Sequence, residues 1–299
     1  MANLESDEQW LRRDDVAANL KSVRRLQNVL LDMLRVIDDV CSVNGLRYYL
    51  FYGTLLGAMR HKGFIPWDDD ADIVMPRADY DKLLRLPKSK WPDGYFLQSP
   101  LSEKYGRFVF AKLRKDGTTC ITPEHRNIKM HQGIFVDIFP LDEARGNGLG
   151  LWTLPRFFER LTAFSCVDIS QRRKGVILRS LQKAWQKLMP APSFFARLAN
   201  LAAKLMSGHS GVYLDTFNTD RIKPARKGFA KALFNRPLRT EFEGIMLNVP
   251  TGAKEILSAW YGNWEVWPPE TARVPVHSKD GIIDVEKDYT YYLNSKGGN

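Results

Sequence analysis

Four aspartates within five positions, followed at once by an apolar segment, place the strongest constraint on how this chain folds. Asp68, Asp69, Asp70 and Asp72 precede Ile73-Val74-Met75. A short apolar run rich in β-branched residues predicts a buried strand. Residues two positions apart in an extended chain share a face, so Asp70 and Asp72 point the same way and Asp68 can join them. The fold must therefore place several carboxylates at the mouth of a buried strand.

This carboxylate group predicts a bound cation. Two unit charges held about 4 Å apart repel by roughly 1 kcal/mol in water and by several in a partly buried site. Oxygen ligands without a nearby His or Cys favour Mg2+ or Mn2+. Asp137 lies in a second apolar run, 134–139, where a charge is costly unless it is paired or metal-bound. The alternatives are a solvated acidic loop for the first group and a water-facing edge strand for Asp137.

The remaining patterns indicate an α+β protein with a mixed sheet. Apolar residues recur at three- and four-residue spacing over 20–37, which predicts a long amphipathic helix, and shorter helices are expected at 55–61 and 76–86. The predicted strands are 46–51, 73–75, 95–98, 107–113, 118–121 and 133–139. Asp116-Gly117 predicts a hairpin turn between the fourth and fifth strands. Pro140 is expected to end the sixth.

Basic residues are concentrated between Leu151 and Met206. The net charge of the chain is +10, and this segment holds ten Lys or Arg against Glu159 and Asp168, so ten minus two gives an excess of +8. Basic amphipathic helices of this kind often lie on anionic membranes. The alternatives are core-packed helices with solvated basic faces, and a net charge that serves solubility. No nucleic-acid-binding motif is present, so no nucleic acid partner is expected.

The cysteines and the hydropathy indicate a cytoplasmic protein. Cys41, Cys120 and Cys166 are far apart and odd in number, which fits neither a zinc site nor a disulfide framework. No stretch reaches the roughly 18 apolar residues of a membrane-spanning helix. Met1 to Trp10 lacks the basic and apolar regions of a signal peptide. Peripheral attachment to the cytoplasmic membrane face is the alternative that the basic helices raise.

Several residues near the aspartates have the chemistry to bind a phosphorylated substrate. Gly53 permits close approach of backbone to phosphate, and the hydroxyl of Thr54 can donate to it. Further candidates are Arg60, His61, Lys62, Trp67, Lys112 and Arg114. Residues 60–62 are equally consistent with an exposed basic turn, and Trp67 with core packing instead of stacking on a base or on a quaternary ammonium group. A second aromatic group is expected in the core, although such residues also line cages for quaternary ammonium groups: Trp260, Tyr261, Trp264 and Trp267.

Together these residues resemble two nested families. Gly53-Thr54, a short helix, Asp70-x-Asp72 and a later strand aspartate resemble the nucleotidyltransferase fold of the polymerase-β type. More narrowly, the segments 52–58 and 60–73 are similar to the LicD family, to which the fukutin-related proteins belong. Further matching segments are Arg77-x-Asp79-Tyr80, Gly133 to Pro140, Tyr261 to Trp264, Pro268-Pro269-Glu270 and His277. The resemblance covers most of residues 20–140 and 240–292 and is weakest over 145–235.

The resemblance implies one LicD-type catalytic domain over residues 1–299. Its parts would be a nucleotidyltransferase-like core at 20–145, a basic helical insertion at 146–235 and a C-terminal part at 236–299.

It also implies an activity. LicD-type enzymes transfer phosphocholine, or a related phospho-alcohol, from a CDP-linked donor to a sugar hydroxyl of a cell-surface glycan or its lipid-linked precursor. Such glycans include lipopolysaccharide, teichoic acid and capsule. By the family pattern, Asp70 and Asp72 hold Mg2+, while Asp137 touches the metal and activates the acceptor hydroxyl.

Two other functions stay open at this stage. A nucleotidyltransferase that attaches the nucleoside monophosphate itself would use the same carboxylates. A non-catalytic binder would use its basic helices on a membrane or nucleic acid, although it would have no use for a buried acid set. The released product separates the two enzymes, because phospho-alcohol transfer releases CMP and nucleotidyl transfer releases pyrophosphate.

Overall fold

Helices and short strands alternate along the chain, and a computed structural model describes residues 10–11, 14–145, 149–166, 176–215, 217, 228–275 and 281–294. The helices are α1 Asp14–Val43, α2 Tyr52–His61, α3 Arg77–Leu83, α4 Leu149–Cys166, α5 Val176–Leu188, α6 Pro192–Met206, α7 Ala253–Tyr261 and α8 Tyr289–Asn294. The strands are β1 Tyr49–Leu50, β2 Asp72–Pro76, β3 Tyr95–Gln98, β4 Ala111–Lys115, β5 Thr119–Ile121, β6 Phe135–Glu143, β7 Val212–Asp215, β8 Phe229–Ala230, β9 Leu238–Phe242, β10 Ile245–Val249 and β11 Ile282–Asp284. This confirms the predicted mixture of helices and strands.

A seven-stranded mixed sheet forms the centre of the protein. Its main path runs β1-β2-β6-β4-β3, with β7 paired to β6 and β8 paired to β7. Strand β6 pairs with β2 in parallel on one edge and with β4 and β7, both antiparallel, on the other. The nine residues of β6 are long enough to serve both of these partners in succession. Strand β6 therefore has neighbours on both edges, and Asp137 does not lie on an edge strand.

Strand β6 continues through Pro140 to Glu143, so the prediction that Pro140 ends it is wrong. The N–H of Asp137 donates to Ala71 O at 2.9 Å on the β2 edge, so the nitrogen of residue 140 faces the opposite edge. On that edge the pairing with β4 stops at Ile138, and the pairing with β7 starts at Leu141. The missing N–H of Pro140 thus falls between two partners and costs no ladder hydrogen bond.

The predicted β4–β5 hairpin is also wrong. Gly117 adopts a positive φ of 70° at the expected turn, but β4 pairs with β3 and β6, and β5 pairs with β11. Both edges of β4 are already occupied, so β5 must find its partner elsewhere. Strand β4 also begins at Ala111 instead of residue 107, and only Tyr49–Leu50 of the predicted 46–51 strand forms.

The long first helix packs its apolar stripe against the sheet. Its buried residues recur at the predicted three- and four-residue spacing: Leu26, Leu30, Met33, Leu34 and Ile37. Full burial of one such side chain stabilises the folded state by about 1.5–3 kcal/mol. The buried amide of Gln27 lies on the same helix and donates to Ile65 O at 3.1 Å and to Asp68 O at 2.9 Å. Helix α1 therefore anchors the loop that carries the aspartates.

Helix α6 is fastened to the central sheet by a buried polar group. Arg77 donates to both carboxylate oxygens of the fully buried Asp142 on β6, each at 2.6 Å, and to Asn200 of α6 at 2.9 Å. Residues 146–235 thus contain α4, α5 and α6 but also β7 and β8 of the main sheet. None of the described helices is both long and apolar enough to cross a membrane. Arg172, Arg173, Lys174 and His277 lie outside the described residues.

Candidate active site

Three charged residues stand side by side across the central strands. Asp72 on β2 is the register partner of Asp137 on β6, and Asp137 is the register partner of Lys112 on β4. Register partners on neighbouring strands project to the same face of a sheet. Asp137 is 14% exposed, and its carboxylate accepts a hydrogen bond from the ammonium of Lys112. The fold thus brings together two aspartates that are 65 positions apart in the sequence.

The loop before β2 adds further carboxylates to this pair. Asp68 and Asp70 are half-buried, and a hydrogen bond links their side chains. Oδ2 of Asp68 is buried and has no hydrogen-bond partner among the described residues. The charges of Asp68 and Asp70 both act on Asp72. The predicted convergence of residues 68, 70, 72 and 137 on one region is therefore present in the structure.

Burial and mutual repulsion raise the pKa values of these acids. A bound cation would offset both effects. The pKa of Asp68 lies well above its usual range, first because of burial and then because of the charges of Asp70 and Asp69. Burial, followed by the charges of Asp70 and Asp137, likewise raises the pKa of Asp72. Burial also raises the pKa of Asp137, although Lys112 opposes this shift. The protein alone leaves their negative charge incompletely compensated.

The start of α2 holds the aspartates in place. The N–H of Asp72 donates to Oγ1 of the buried Thr54 at 2.9 Å. A Cβ on Gly53 would lie 2.7 Å from Oδ2 of Asp68, so a larger residue at position 53 would push this carboxylate away. Tyr52 begins the helix with a φ of 49°, a conformation that L-residues rarely adopt. Gly53 and Thr54 therefore lie beside aspartates of the cluster, and their role in binding a phosphate stays a prediction.

Lys112 and Arg114 lie on the same face of β4, as predicted, but in different surroundings. Lys112 is 3% exposed, and its ammonium lies 3.7 Å from the ring centre of Phe135 and 4.2 Å from that of Phe108. Arg114 is 1% exposed and donates to Gln98 Oε1 at 2.9 Å and to Gly133 O at 2.7 Å. Burial lowers the pKa of both side chains. Lys112 thus lies beside the acids, while Arg114 links β4 to β3 and to the residues before β6.

The basic residues at 60–62 have partners within the protein. Arg60 donates to Trp264 O at 3.0 Å, and its Nε donates to Nε2 of His61 at 2.9 Å. Burial and the charge of Arg60 lower the pKa of His61 to about 4, so this ring is neutral at pH 7. Lys62 is exposed and lies 3.6 Å from Glu241. These contacts join α2 to the C-terminal part of the chain.

Trp67 is buried among aromatic rings and a guanidinium group. Its ring centre lies 5.6 Å from that of Trp10 and 5.4 Å from that of Trp267, both edge-on. The guanidinium carbon of Arg273 lies 5.1 Å from the ring centre of Trp267 and 6.0 Å from that of Trp67. Contacts of this kind are attractive. This placement favours the packing role for Trp67 over direct stacking on a substrate.

Tyr261 is a residue that the sequence reasoning misplaced. It was expected in the core, but its side chain is 40% exposed. Its pKa is raised first by burial of the hydroxyl and then by the charges of Asp68, Asp72 and Asp70, which places this hydroxyl near the cluster. The segment Tyr261 to Trp264 resembles the LicD family. This resemblance was the sequence signal that could have pointed to a place for Tyr261 near the site.

The described residues fit an open magnesium site better than a closed metal centre. Within the described ranges, no group of three Asp, Glu, His or Cys side chains is arranged to hold a metal ion. Mg2+ does not require such a cage, because it is usually bound through one or two carboxylates, waters and substrate phosphates. The unpartnered buried Oδ2 of Asp68 and the raised pKa values of Asp68 and Asp72 are the observations that fit a cation here.

Comparison with known proteins identifies one domain of this chain. Residues 45–159 match the family described as LicD/FKTN/FKRP, nucleotidyltransferase domain. This range contains all four aspartates of the cluster and Lys112, and it supports a transferase. A LicD domain is therefore present in this chain, and the match supports a LicD-family phosphotransferase.

Three relatives illustrate the extent of the similarity. The chain is 28% identical over 269 residues to the lipopolysaccharide cholinephosphotransferase LicD of Haemophilus influenzae, covering 88% of this chain and 98% of that protein. An uncharacterised protein of Rickettsia prowazekii is 40% identical over 50 residues, 17% of this chain and 19% of that protein. Another from Rickettsia typhi is 37% identical over 65 residues, 21% of each chain. The first alignment therefore spans nearly the whole relative, and the other two are local.

Proposed function

We propose that this protein is a Mg2+-dependent phosphotransferase that moves phosphocholine, or a similar phospho-alcohol, from a CDP-linked donor to a sugar hydroxyl of lipopolysaccharide or its lipid-linked precursor. The observation that carries this proposal is the partnership of Asp72 with Asp137 across β2 and β6, with Asp68 and Asp70 beside them. The similarity to a lipopolysaccharide cholinephosphotransferase supports the group transferred and the acceptor.

Asp70 and Asp72, with Asp137 and Asp68 beside them, are the residues that would hold Mg2+. When bound, the ion neutralises charge on the diphosphate of the donor as the bond to the leaving group breaks. We assign Gly53 and Thr54 to the approach of a donor phosphate, because they lie at the helix start that contacts Asp68 and Asp72. Mn2+ is the alternative ion for the same oxygen ligands.

We assign Asp137 the role of the base that takes the proton of the acceptor hydroxyl. Lys112 engages its Oδ1, and we assign Oδ2 to the acceptor. A base needs to lie within hydrogen-bond reach of the proton that it takes. The same ion pair leaves the ammonium of Lys112 beside the place where negative charge gathers during transfer.

The proposal includes one catalytic domain of the polymerase-β nucleotidyltransferase type. A mixed sheet with carboxylates on adjacent strands, faced by the start of a helix at Gly53-Thr54, supports it. So does the nucleotidyltransferase domain described for the family at residues 45–159.

That family description also keeps attachment of a nucleoside monophosphate as a second candidate function. To test the proposal, the protein is incubated with Mg2+, lipopolysaccharide and one of CDP-choline, CDP-glycerol or CDP-ribitol. The nucleotide product that is released is then identified. CMP together with phosphocholine on the glycan supports the proposal. Pyrophosphate release from CTP, without CMP release from any CDP-linked alcohol, would favour the nucleotidyltransferase instead.

A further inference from the structure

Large apolar side chains face solvent on α4, α5 and α6. Six of them are between 47% and 76% exposed: Phe157, Leu181, Leu188, Phe194, Leu201 and Leu205. Isolated exposed leucines are ordinary, but several on neighbouring elements mark an interaction surface. Helix α4 packs along α6, and the ring of Trp185 on α5 stacks on Phe195 of α6 at 5.8 Å between centres. The three helices therefore pack against one another.

The spacing along α6 shows that its outer apolar residues form a second stripe. Phe194, Leu201 and Leu205 are seven and four positions apart, so they follow one side of the helix. The opposite side is formed by Ala196, Ala199 and Ala203, which are buried against the sheet. Core packing thus accounts for the alanine stripe and leaves the stripe of larger residues without a function inside the fold.

Positive charge accompanies this apolar surface. Arg160 on α4, Lys187 on α5 and Arg197 on α6 are exposed. Glu159 is the one acid in the sequence of 149–166 and 176–206. A face that only promotes solubility usually mixes both signs of charge. Large apolar residues beside an excess of basic residues are typical of helices that lie in the interface of an anionic bilayer.

We propose that the outer surface of α4, α5 and α6, called here the docking layer, binds an anionic lipid bilayer. The apolar side chains insert between lipids, and the exposed Arg and Lys contact the headgroups. Charge complementarity selects a membrane over a second copy of this chain, because two docking layers facing each other would bring like charges together.

Side-chain hydrogen bonds link the docking layer to the strand that carries Asp137. Asn200 of α6 contacts Arg77, which holds Asp142 on β6, and Asp137 lies five positions earlier on that strand. A bilayer bound to α6 would therefore hold the site at a fixed position relative to the lipid surface. Membrane binding itself does not depend on the proposed phosphotransfer and is tested without it.

The test is co-sedimentation of the full chain with vesicles of phosphatidylcholine alone or mixed with phosphatidylglycerol. Binding is expected to require phosphatidylglycerol and to weaken at high salt. The variant Arg160→Gln/Lys187→Gln should lower partitioning about tenfold or more. The variant Phe194→Ser/Leu201→Ser/Leu205→Ser should also release the protein. Because all five side chains are exposed, both variants are expected to keep the thermal unfolding curve of the wild type.

The control variants replace exposed apolar or basic side chains outside the docking layer. Leu238→Ser/Met246→Ser removes comparably exposed apolar residues on β9 and β10, and Lys88→Gln/Lys90→Gln removes two exposed charges before β3. Both controls should sediment like the wild type. Equal recovery in the supernatant with and without phosphatidylglycerol would overturn the proposal, as would an equal loss of binding in the controls. A wild-type dimer that the serine variant splits, without vesicle binding, would show a protein interface instead.

Discussion

The ammonium of Lys112 and the carboxylate of Asp137 form an ion pair between β4 and β6, in the row that Asp72 completes on β2. A lysine that is 3% exposed pays a large desolvation cost unless an acid compensates it. Here that acid is one of the residues proposed to perform the chemistry. The pair therefore joins the stability of the central sheet to the function of the site.

Lys112→Met should abolish transfer and destabilise the protein. Removing one partner of a buried ion pair costs about 3–5 kcal/mol, because the remaining charge stays buried. Since Lys112 holds down the pKa of Asp137, this pKa should rise in the variant. Urea unfolding and product formation are the measurements. The control is Lys115→Met on the same strand, for which we expect less than about 1 kcal/mol. An equal loss in both variants would contradict the special role of position 112.

Gly53→Ala should weaken metal binding because of one close contact. The new Cβ would lie 2.7 Å from Oδ2 of Asp68, so the carboxylate must move. We expect Mg2+ affinity, measured by calorimetry, to fall about tenfold or more, since a misplaced ligand loses its geometry. A double-mutant cycle checks the cause, because Gly53→Ala should cost little further affinity in an Asp68→Ala background. Additive losses would show that Gly53 acts through another contact.

Thr54→Val should reduce activity, and Thr54→Ser should largely preserve it. The hydroxyl of Thr54 accepts the N–H of Asp72 at 2.9 Å, and valine leaves this buried donor without its partner. Such a loss costs about 1–3 kcal/mol, which should appear in both the free energy of unfolding and the turnover. Serine keeps the oxygen. If valine and serine behave alike, the hydrogen bond does not position Asp72.

The local features of the site were predictable from the sequence because they depend on neighbouring residues. Alternation in an extended chain put Asp70 and Asp72 on one face, and the apolar run after them gave the buried strand β2. Tyr95–Gln98 was predicted with its observed limits. The cost of a charge in an apolar run indicated that Asp137 must be paired or bound to a metal. Lys112 proved to be the partner in the protein.

The pairing of strands that are distant in the sequence was harder to predict. The sequence around Asp116-Gly117 indicates a turn but does not reveal that β3 and β6 occupy both edges of β4. The continuation of β6 through Pro140 depends on where β4 ends and β7 begins, which is a property of the assembled sheet. Tyr261 was assigned to the core from its aromatic neighbours, although the end of α7 leaves it 40% exposed.

The stability of the metal-free protein should fall as the pH rises above the ordinary carboxylate range. The pKa values of Asp68, Asp72 and Asp137 are raised in the folded state. The folded protein therefore binds more protons than the unfolded chain from about pH 4 upward, and stability decreases with pH until these groups have lost their protons.

Mg2+ should oppose this loss, because it binds the ionised carboxylates. Thermal unfolding with EDTA and with Mg2+ across this pH range measures the difference. We expect the stabilisation by Mg2+ to grow with pH for the wild type and to be small in Asp68→Asn/Asp72→Asn. A stabilisation by Mg2+ that does not depend on pH would contradict a metal site built from these acids.

CMP release from CDP-choline, measured with lipopolysaccharide as a function of Mg2+ concentration, tests whether Asp70 and Asp72 support Mg2+-dependent transfer. Wild type is compared with Asp70→Asn, with Asp72→Asn and with Asp93→Asn, an exposed aspartate outside the cluster. We expect Mg2+-dependent release for the wild type and Asp93→Asn, and a loss of about a thousandfold or more for Asp70→Asn and Asp72→Asn. Circular dichroism should show that all four proteins are folded. Near-wild-type release by Asp70→Asn or Asp72→Asn at saturating Mg2+ would contradict the proposed Mg2+ site.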